Sequence, residues 1–197
     1  MQELKRNKFR ALYQPSKLLL GIIPTDAPSE FNIIALCFTM TCSYKPPMIA
    51  VSFEKKNFSY ELMKSASNFV LAVPGESLAE QAMKCGLLSG RTANKFHECS
   101  FTKQQLPHTN VPGISEAIAN IELSVESRLI TGDHLTVIGR VIGYHVNPKN
   151  VEKNLLAIGP NIQGYKLLVR KGLHRIAVIQ GHSDDFIDGF KLDRILS

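Results

Sequence analysis

The feature that most constrains this chain is a pair of long strand-forming segments separated by a very short turn. Residues 117–130 and 133–146 are both rich in Ile, Val and Leu, and only Thr131-Gly132-Asp133 separates them at the boundary. A turn of this length joins antiparallel strands, whereas parallel strands need a crossover of a dozen or more residues. The sequence therefore predicts an antiparallel β centre and argues against a doubly wound parallel sheet.

Shorter segments predict the rest of a mainly β fold with flanking helices. Apolar runs at 18–24, 32–41, 48–53 and 68–74 predict strands, and residues 166–169 and 175–179 predict a hairpin. Ser59 is a good helix N-cap, and a helical spacing of apolar residues extends over 77–88. Residues 101–112 are predicted to form a surface loop, and 186–196 a short terminal helix.

The chain is long and apolar enough to bury one sizeable hydrophobic core, and its positive net charge makes nucleic-acid binding one hypothesis for its function. The chain has 197 residues, 44% of them hydrophobic, and a net charge of +6 with a pI near 9.2. A basic β-barrel that binds nucleic acid is therefore one alternative. Against it, the aromatic residues lie in apolar strand contexts and do not alternate with Lys and Arg, as Phe38, Phe53 and Phe69 illustrate.

Several other function classes lack their usual motifs. The chain has no apolar run long enough for a membrane span and no secretory leader, so we expect a cytoplasmic protein. Its four cysteines form no C-x-x-C pair, and no metal site is predicted. No nucleophile elbow, Walker loop, dinucleotide fingerprint or zincin helix is present.

One local pattern is suited to binding a phosphate group. Lys55 and Lys56 precede the helix that Ser59 is expected to begin, and a helix N-terminus offers free N–H groups and partial positive charge. The competing interpretation is a simple N-cap beside a solvated basic loop.

Five short segments occur in a characteristic order along the chain. They are Thr39-Met40-Thr41-Cys42-Ser43-Tyr44-Lys45-Pro46-Pro47, the strand 49–53, the loop and helix 55–63, Ser89-Gly90 with Lys95-Phe96, and Gly132-Asp133-His134. In this order and spacing the chain resembles the flavin reductase-like proteins, especially the flavoredoxin branch, over roughly residues 10–150.

The resemblance implies a fold and a class of activity. The fold would be an FMN-binding split β-barrel, a Greek-key antiparallel barrel, over residues 1–155, with a C-terminal extension at 156–197 packed on the barrel or on a dimer partner. The implied protein is a homodimer with FMN at its interface. It would accept hydride from NAD(P)H at flavin N5 and pass electrons to free flavin, a ferric complex or another acceptor. A non-enzymatic FMN electron carrier with a protein partner is the alternative.

The resemblance also implies roles for individual residues. The residues expected along the isoalloxazine ring are Thr39, Met40, Thr41, Cys42 and Ser43. Lys55, Asn57 and Ser59 would hold the ribityl phosphate, with Lys95 as a second cation. His134 would lie near the nicotinamide side of the flavin as the catalytic residue. Cys42 has two interpretations, a redox participant or a small side chain that lets the ring approach.

Overall fold

The structure, a computed structural model, describes residues 13–26, 29–160 and 162–181. The predicted terminal helix at 186–196 lies outside these residues. The strands, in chain order, are β1 (Ser16–Lys17), β2 (Leu19–Pro24), β3 (Phe31–Leu36), β4 (Thr39–Tyr44), β5 (Pro47–Glu54), β6 (Asn68–Val73), β7 (Lys103–Gln104), β8 (Gly113–Ile114), β9 (Ala119–Thr131), β10 (His134–Val146), β11 (Leu156–Ala157), β12 (Tyr165–Lys171) and β13 (His174–Ile179). The helices are α1 (Phe58–Met63), α2 (Ala79–Leu87) and α3 (Lys95–Glu98), and a 3-10 turn at Glu76–Leu78 precedes α2.

A seven-stranded antiparallel sheet, ordered β3-β2-β6-β9-β10-β5-β4, forms the centre of the fold. The long ribbon predicted from the sequence is β9 and β10, which pair from His134 opposite Thr131 to Val146 opposite Ala119. Gly132 has φ of +61° in the turn, a conformation that glycine adopts without a side-chain penalty. The antiparallel prediction is confirmed.

The apolar run at 32–41 is not one strand, as the sequence suggested, but two. Cys37 and Phe38 separate β3 from β4, and these two strands lie at opposite edges of the seven-stranded order. Because only two residues join them, the sheet must curl until its edges approach each other. Phe38 contributes to this corner, since its carbonyl accepts a hydrogen bond from the Ser52 N–H at 2.9 Å.

Strands β2 and β6 are buried on both faces, which explains why they appear in the sequence as continuous apolar runs. Leu20 and Ile22 contribute to one hydrophobic cluster, together with residues of α2 and of the C-terminal strands. Leu19 and Ile23, on the other face, belong to a second cluster that includes Phe69 and Met63 of α1. The sheet therefore separates two cores, as expected for a curled sheet with elements packed outside it.

The C-terminal strands β11, β12 and β13 form a second sheet with the early strand β1, in the order β1-β11-β13-β12. The predicted hairpin at 166–179 is confirmed by the pairing of β12 with β13. Leu155, Ile176 and Val178 pack in the same core cluster as α2. The described part of the predicted C-terminal extension thus packs on the rest of the chain, and a boundary at residue 155 stays a prediction.

Two helix predictions need correction. Asn57, not Ser59, is the N-cap of α1, so that Ser59 lies inside the helix and is buried. The short helix α3 was missed because four residues are too few to establish helical spacing.

None of the helices in the described ranges has the length and apolar character of a membrane span.

Candidate functional site

Strand β4 presents an exposed edge on which the predicted residues Thr39 to Ser43 lie. It is the last strand of its sheet and pairs only with β5 in the part of the chain that the structure describes. The register shifts between Thr41 and Ser43, which leaves the exposed Cys42 in a bulge. An edge strand leaves backbone N–H and C=O groups unpaired, and these groups can bind the polar rim of a ligand.

An aromatic pair stands beside the start of this strand. Phe38 and His134 stack with ring centroids 5.2 Å apart and an angle of 24° between their planes. The Nδ1 of His134 lies 2.6 Å from the Oδ1 of Asp133, and its side chain is 20% exposed. Since Nδ1 bonds to this carboxylate, Nε2 is the ring nitrogen left to face a ligand.

Asp133 fixes the orientation of the His134 ring. The hydrogen bond from His134, followed by the charges of His134 and Lys55, holds the pKa of the Asp133 carboxyl below its ordinary value. The Lys55 N–H also donates to the Asp133 carbonyl at 2.9 Å, so the turn before β10 is bound to the loop after β5.

The two lysines of that loop differ in what they contact. The Lys56 ammonium forms an ion pair with Glu54 at 2.7 Å, whereas Lys55 forms no ion pair with any residue in the described ranges. The neighbouring Asn57 side chain makes no capping hydrogen bond to α1. Lys55 and Asn57 therefore offer a cation and an amide that are available to a ligand.

Ser59 is part of a buried polar contact that also involves an early strand and a distant loop. The Asn32 amide donates to the Ser59 hydroxyl at 2.9 Å, and both side chains are buried. The Asn32 Oδ1 is buried and has no hydrogen-bond partner among the described residues. A Cβ built on Gly90 would lie 1.9 Å from that oxygen, so glycine is needed for the loop to approach Asn32.

Arg91, which follows Gly90, is not among the site residues predicted from the sequence. The guanidinium of Arg91 lies 4.6 Å from the centroid of the Phe58 ring and forms an ion pair with Glu61. It thus brings a positive charge to the first turns of α1. The sequence feature that could have indicated Arg91 is its position directly after the Ser89-Gly90 motif.

Lys95, expected as a second cation, does not join this group. It is 5% exposed, and its ammonium donates to the carbonyls of Ile33 at 2.6 Å and Cys85 at 2.9 Å. Burial lowers its pKa, and the neighbouring thiols of Cys85 and Cys99 oppose that effect. Its contacts join the start of α3 to β3 and α2.

The fold is shared with several solved flavoproteins. A flavoredoxin of Methanosarcina acetivorans superposes with a TM-score of 0.75 at 18% identity, over 100% of this chain and 99% of the other. An FMN-binding protein of Thermus thermophilus, solved with p-hydroxybenzaldehyde, has a TM-score of 0.71 at 22% identity, with 93% and 99% covered. An NADH:FAD oxidoreductase of Streptomyces globisporus has a TM-score of 0.68 at 17% identity, with 79% and 92% covered.

Sequence comparison gives the family directly. An uncharacterized protein of Archaeoglobus fulgidus is 31% identical over 136 residues, which are 69% of this chain and 75% of that protein. The family model described as "Flavin reductase like domain" matches residues 19–165. The mainly β split-barrel fold expected from the sequence is confirmed by these neighbours, and the protein belongs to the flavin reductase-like family.

Proposed function

We propose that the protein binds FMN along β4 and acts as an oxidoreductase that takes hydride from NAD(P)H. The observation that carries the proposal is the position of the open β4 edge beside the Phe38–His134 stack and the unpaired Lys55. Membership of the flavin reductase-like family supports a flavin-related redox role.

The described residues fit the isoalloxazine ring and the phosphate of FMN. The exposed β4 edge offers backbone groups for the polar rim of the isoalloxazine ring, with Thr39, Thr41 and Ser43 as further hydrogen-bonding groups. The bulge at Cys42 removes one residue from the regular pairing, and its small side chain leaves room for a flat ring beside the strand. Met40, at 64% exposure, offers apolar surface against which a ring can pack.

The phosphate group is assigned to the loop after β5. Lys55 and Asn57 supply a charge and an amide there. Arg91 lies at α1 as well, but its charge is already balanced by Glu61. Ser59 joins α1 to β3, since its buried hydroxyl accepts a hydrogen bond from the Asn32 amide. Lys95 is left out of the proposed site because both of its hydrogen bonds go to backbone carbonyls.

When bound, FMN supplies the redox chemistry, because its N5 position accepts and donates hydride. The chain supplies binding, orientation and exclusion of water. His134 is the proposed catalytic residue: Asp133 holds its ring through Nδ1, and Phe38 covers one face, so that Nε2 is presented to the nicotinamide. Free flavin, a ferric complex or another small acceptor would then receive the electrons.

A second candidate function is that of an electron carrier. The exposed position of Cys42 and of the whole β4 edge favours it, because a protein acceptor needs an accessible redox centre. In that function a partner protein, not a nicotinamide nucleotide, would reduce the bound flavin.

A homodimer is part of the proposal. Apolar side chains are exposed beside the candidate site, on β4 and on the end of β9 next to His134, namely Met40, Tyr44, Leu129 and Ile130. A dimer interface would remove these exposed apolar side chains from water. A second copy that covers it would shield the flavin from water, and sedimentation velocity should give a dimer; a monomer at micromolar concentration would contradict this part.

Anaerobic stopped-flow mixing distinguishes the two functions. The FMN-loaded protein is mixed with NADH or NADPH, and loss of the visible flavin absorption is followed. The reductase proposal expects rapid bleaching by at least one nucleotide, slowed about 10-fold or more in His134→Ala without loss of FMN. If neither nucleotide bleaches the FMN-loaded protein, the reductase proposal is overturned and the electron-carrier function remains.

A further inference from the structure

Three side chains that the flavin proposal does not use converge at the far end of the β9–β10 ribbon. They are His108 on the loop between β7 and β8, Glu122 on β9 and His145 on β10. One ligand atom from each lies within 4.8 Å of the others. His145 is eleven residues along β10 from His134, a path of about 35 Å, so this cluster is separate from the candidate flavin site.

Glu122 is the unusual member, because its carboxylate is fully buried. Its Oε1 lies 2.7 Å from the Nε2 of His145, and its Oε2 accepts the His108 backbone N–H at 2.9 Å. No Lys or Arg of the described residues pairs with it. A buried carboxylate needs compensating charge, and either a protonated His145 or a bound cation can supply it.

The backbone at this point is shaped to let the three side chains meet. A Cβ on Gly143 would lie 2.5 Å from His108 Cδ2 and 2.7 Å from Glu122 Oε1, so only glycine leaves them room. The strand register also shifts between Val141 and Gly143. Bulges of this kind change the direction of side chains and are frequent beside functional sites.

We propose that His108, Glu122 and His145 bind a divalent first-row transition metal, with Zn²⁺ as the best match. Two imidazole nitrogens and one carboxylate oxygen are the donor set of open, three-ligand zinc sites. Bound Zn²⁺ would supply the charge that the buried carboxylate lacks, with both imidazoles neutral.

The geometry needs only small movements to bind the ion. Tetrahedral Zn²⁺ with ligands at roughly 2.1 Å separates its ligand atoms by about 3.4 Å. In the structure Glu122 Oε1 and His145 Nε2 are 2.7 Å apart, and all three ligand atoms lie within 4.8 Å of one another. His108 is exposed and can move toward the carboxylate, while His145 exchanges its hydrogen bond with Glu122 for a bond to the metal. The exposed side leaves a fourth position for water.

The ion would connect the loop between β7 and β8 to the central sheet. Without the ion, the hydrogen bond from the His108 N–H to Glu122 and the stacking of His108 on His145 already connect this loop to the sheet. Because metal binds the folded chain preferentially, Zn²⁺ should raise the unfolding temperature.

The test uses the full-length protein without a histidine tag. Equilibrium dialysis with Zn²⁺ should give one equivalent bound, and Co²⁺ substitution should give the visible absorption of a nitrogen- and oxygen-ligated site. His108→Ala, at an exposed position, should weaken Zn²⁺ binding at least 10-fold, and Glu122→Gln should do the same. His97→Ala is the matched control, because His97 is an exposed histidine outside the cluster.

Two outcomes would overturn the proposal. One is a folded wild-type protein that binds no stoichiometric Zn²⁺. The other is Zn²⁺ binding that is unchanged in His108→Ala, or binding that is lost in His97→Ala and therefore belongs to a site near His97 and not to the cluster. FMN retention by His108→Ala should equal that of the wild type, so that failure of the metal site is distinguishable from failure of the flavin proposal.

Discussion

Gly90→Ala is expected to destabilise the protein by about 2–6 kcal/mol, because the new methyl group collides with a buried polar contact. The added Cβ would lie 1.9 Å from Asn32 Oδ1 and 2.6 Å from its Cγ. Relief requires Asn32 to move, which strains the packing at about 1–3 kcal/mol and breaks its hydrogen bond to Ser59 at about 1–3 kcal/mol. Gly90 has no positive φ, so backbone strain contributes nothing to this estimate.

A double-mutant cycle measured by urea unfolding separates the collision from any other effect. Asn32→Ala alone loses the hydrogen bond and should cost about 1–3 kcal/mol. In the double variant, Asn32→Ala also removes the Oδ1 atom with which the methyl group added by Gly90→Ala would collide. The double variant should therefore be at least about 1 kcal/mol more stable than the sum of the two single losses predicts. Additivity within about 0.5 kcal/mol, or a Gly90→Ala variant as stable as the wild type, would refute the packing of this loop on Asn32.

Three further predictions concern charged groups. Lys55→Met should weaken FMN binding about 10-fold or more, because it removes the unpaired cation, while Lys56→Met should change it little; equal losses in a flavin fluorescence titration would contradict the assignment. Lys95→Met should cost about 2–4 kcal/mol of stability, since two buried carbonyls lose their donor, yet leave FMN affinity unchanged; a selective loss of FMN would return Lys95 to the site. The pKa of the Asp133 carboxyl should lie below 3.8 in a carbon-detected NMR titration, and His134→Ala should bring it back toward 3.8. Because the pKa is lower in the folded state, the contribution of Asp133 to stability is present above pH 3.8 and is lost as the pH falls through the folded pKa. A wild-type pKa that is not lowered would contradict the contact with His134.

The longer strands were largely predictable because most of them are apolar runs between turn residues, whereas the two-residue strands β1, β7, β8 and β11 are too short to show a pattern. The β9–β10 ribbon is the clearest case, since Gly132 and two long Ile- and Val-rich segments leave few alternatives. The division of 32–41 into β3 and β4 was not predictable, because Cys37 and Phe38 continue the apolar pattern. The break follows from the curling of the sheet, which is a property of the tertiary fold.

The candidate site was predictable as a set of segments but not as a set of contacts. Thr39 to Ser43, Lys55 and His134 lie where short motifs placed them, on a strand edge, a loop and a strand start. The burial of Lys95 depends on Ile33 and Cys85, which are 62 and 10 residues away in sequence. Arg91 likewise forms an ion pair with Glu61, which is 30 residues away in sequence, and no local sequence pattern predicts such a pair.

The cluster around Glu122 shows the same limit. Its two histidines are 14 and 23 residues away along the chain, a spacing that matches no short metal motif. The register of β9 against β10 and the glycine at 143 bring them together. A search of the sequence for C-x-x-C or H-x-x-x-H patterns could not have found them.

The most direct test of the central claim is whether the folded protein retains FMN. The purified chain is mixed with FMN, desalted and examined by visible absorption, with flavin and protein quantified in the same fractions. The account predicts about one FMN per chain co-eluting with the protein, in a flavin spectrum altered by contact with β4 and His134. A folded protein that emerges colourless after exposure to excess FMN would contradict the claim that the β4 edge, Lys55 and His134 form a flavin site.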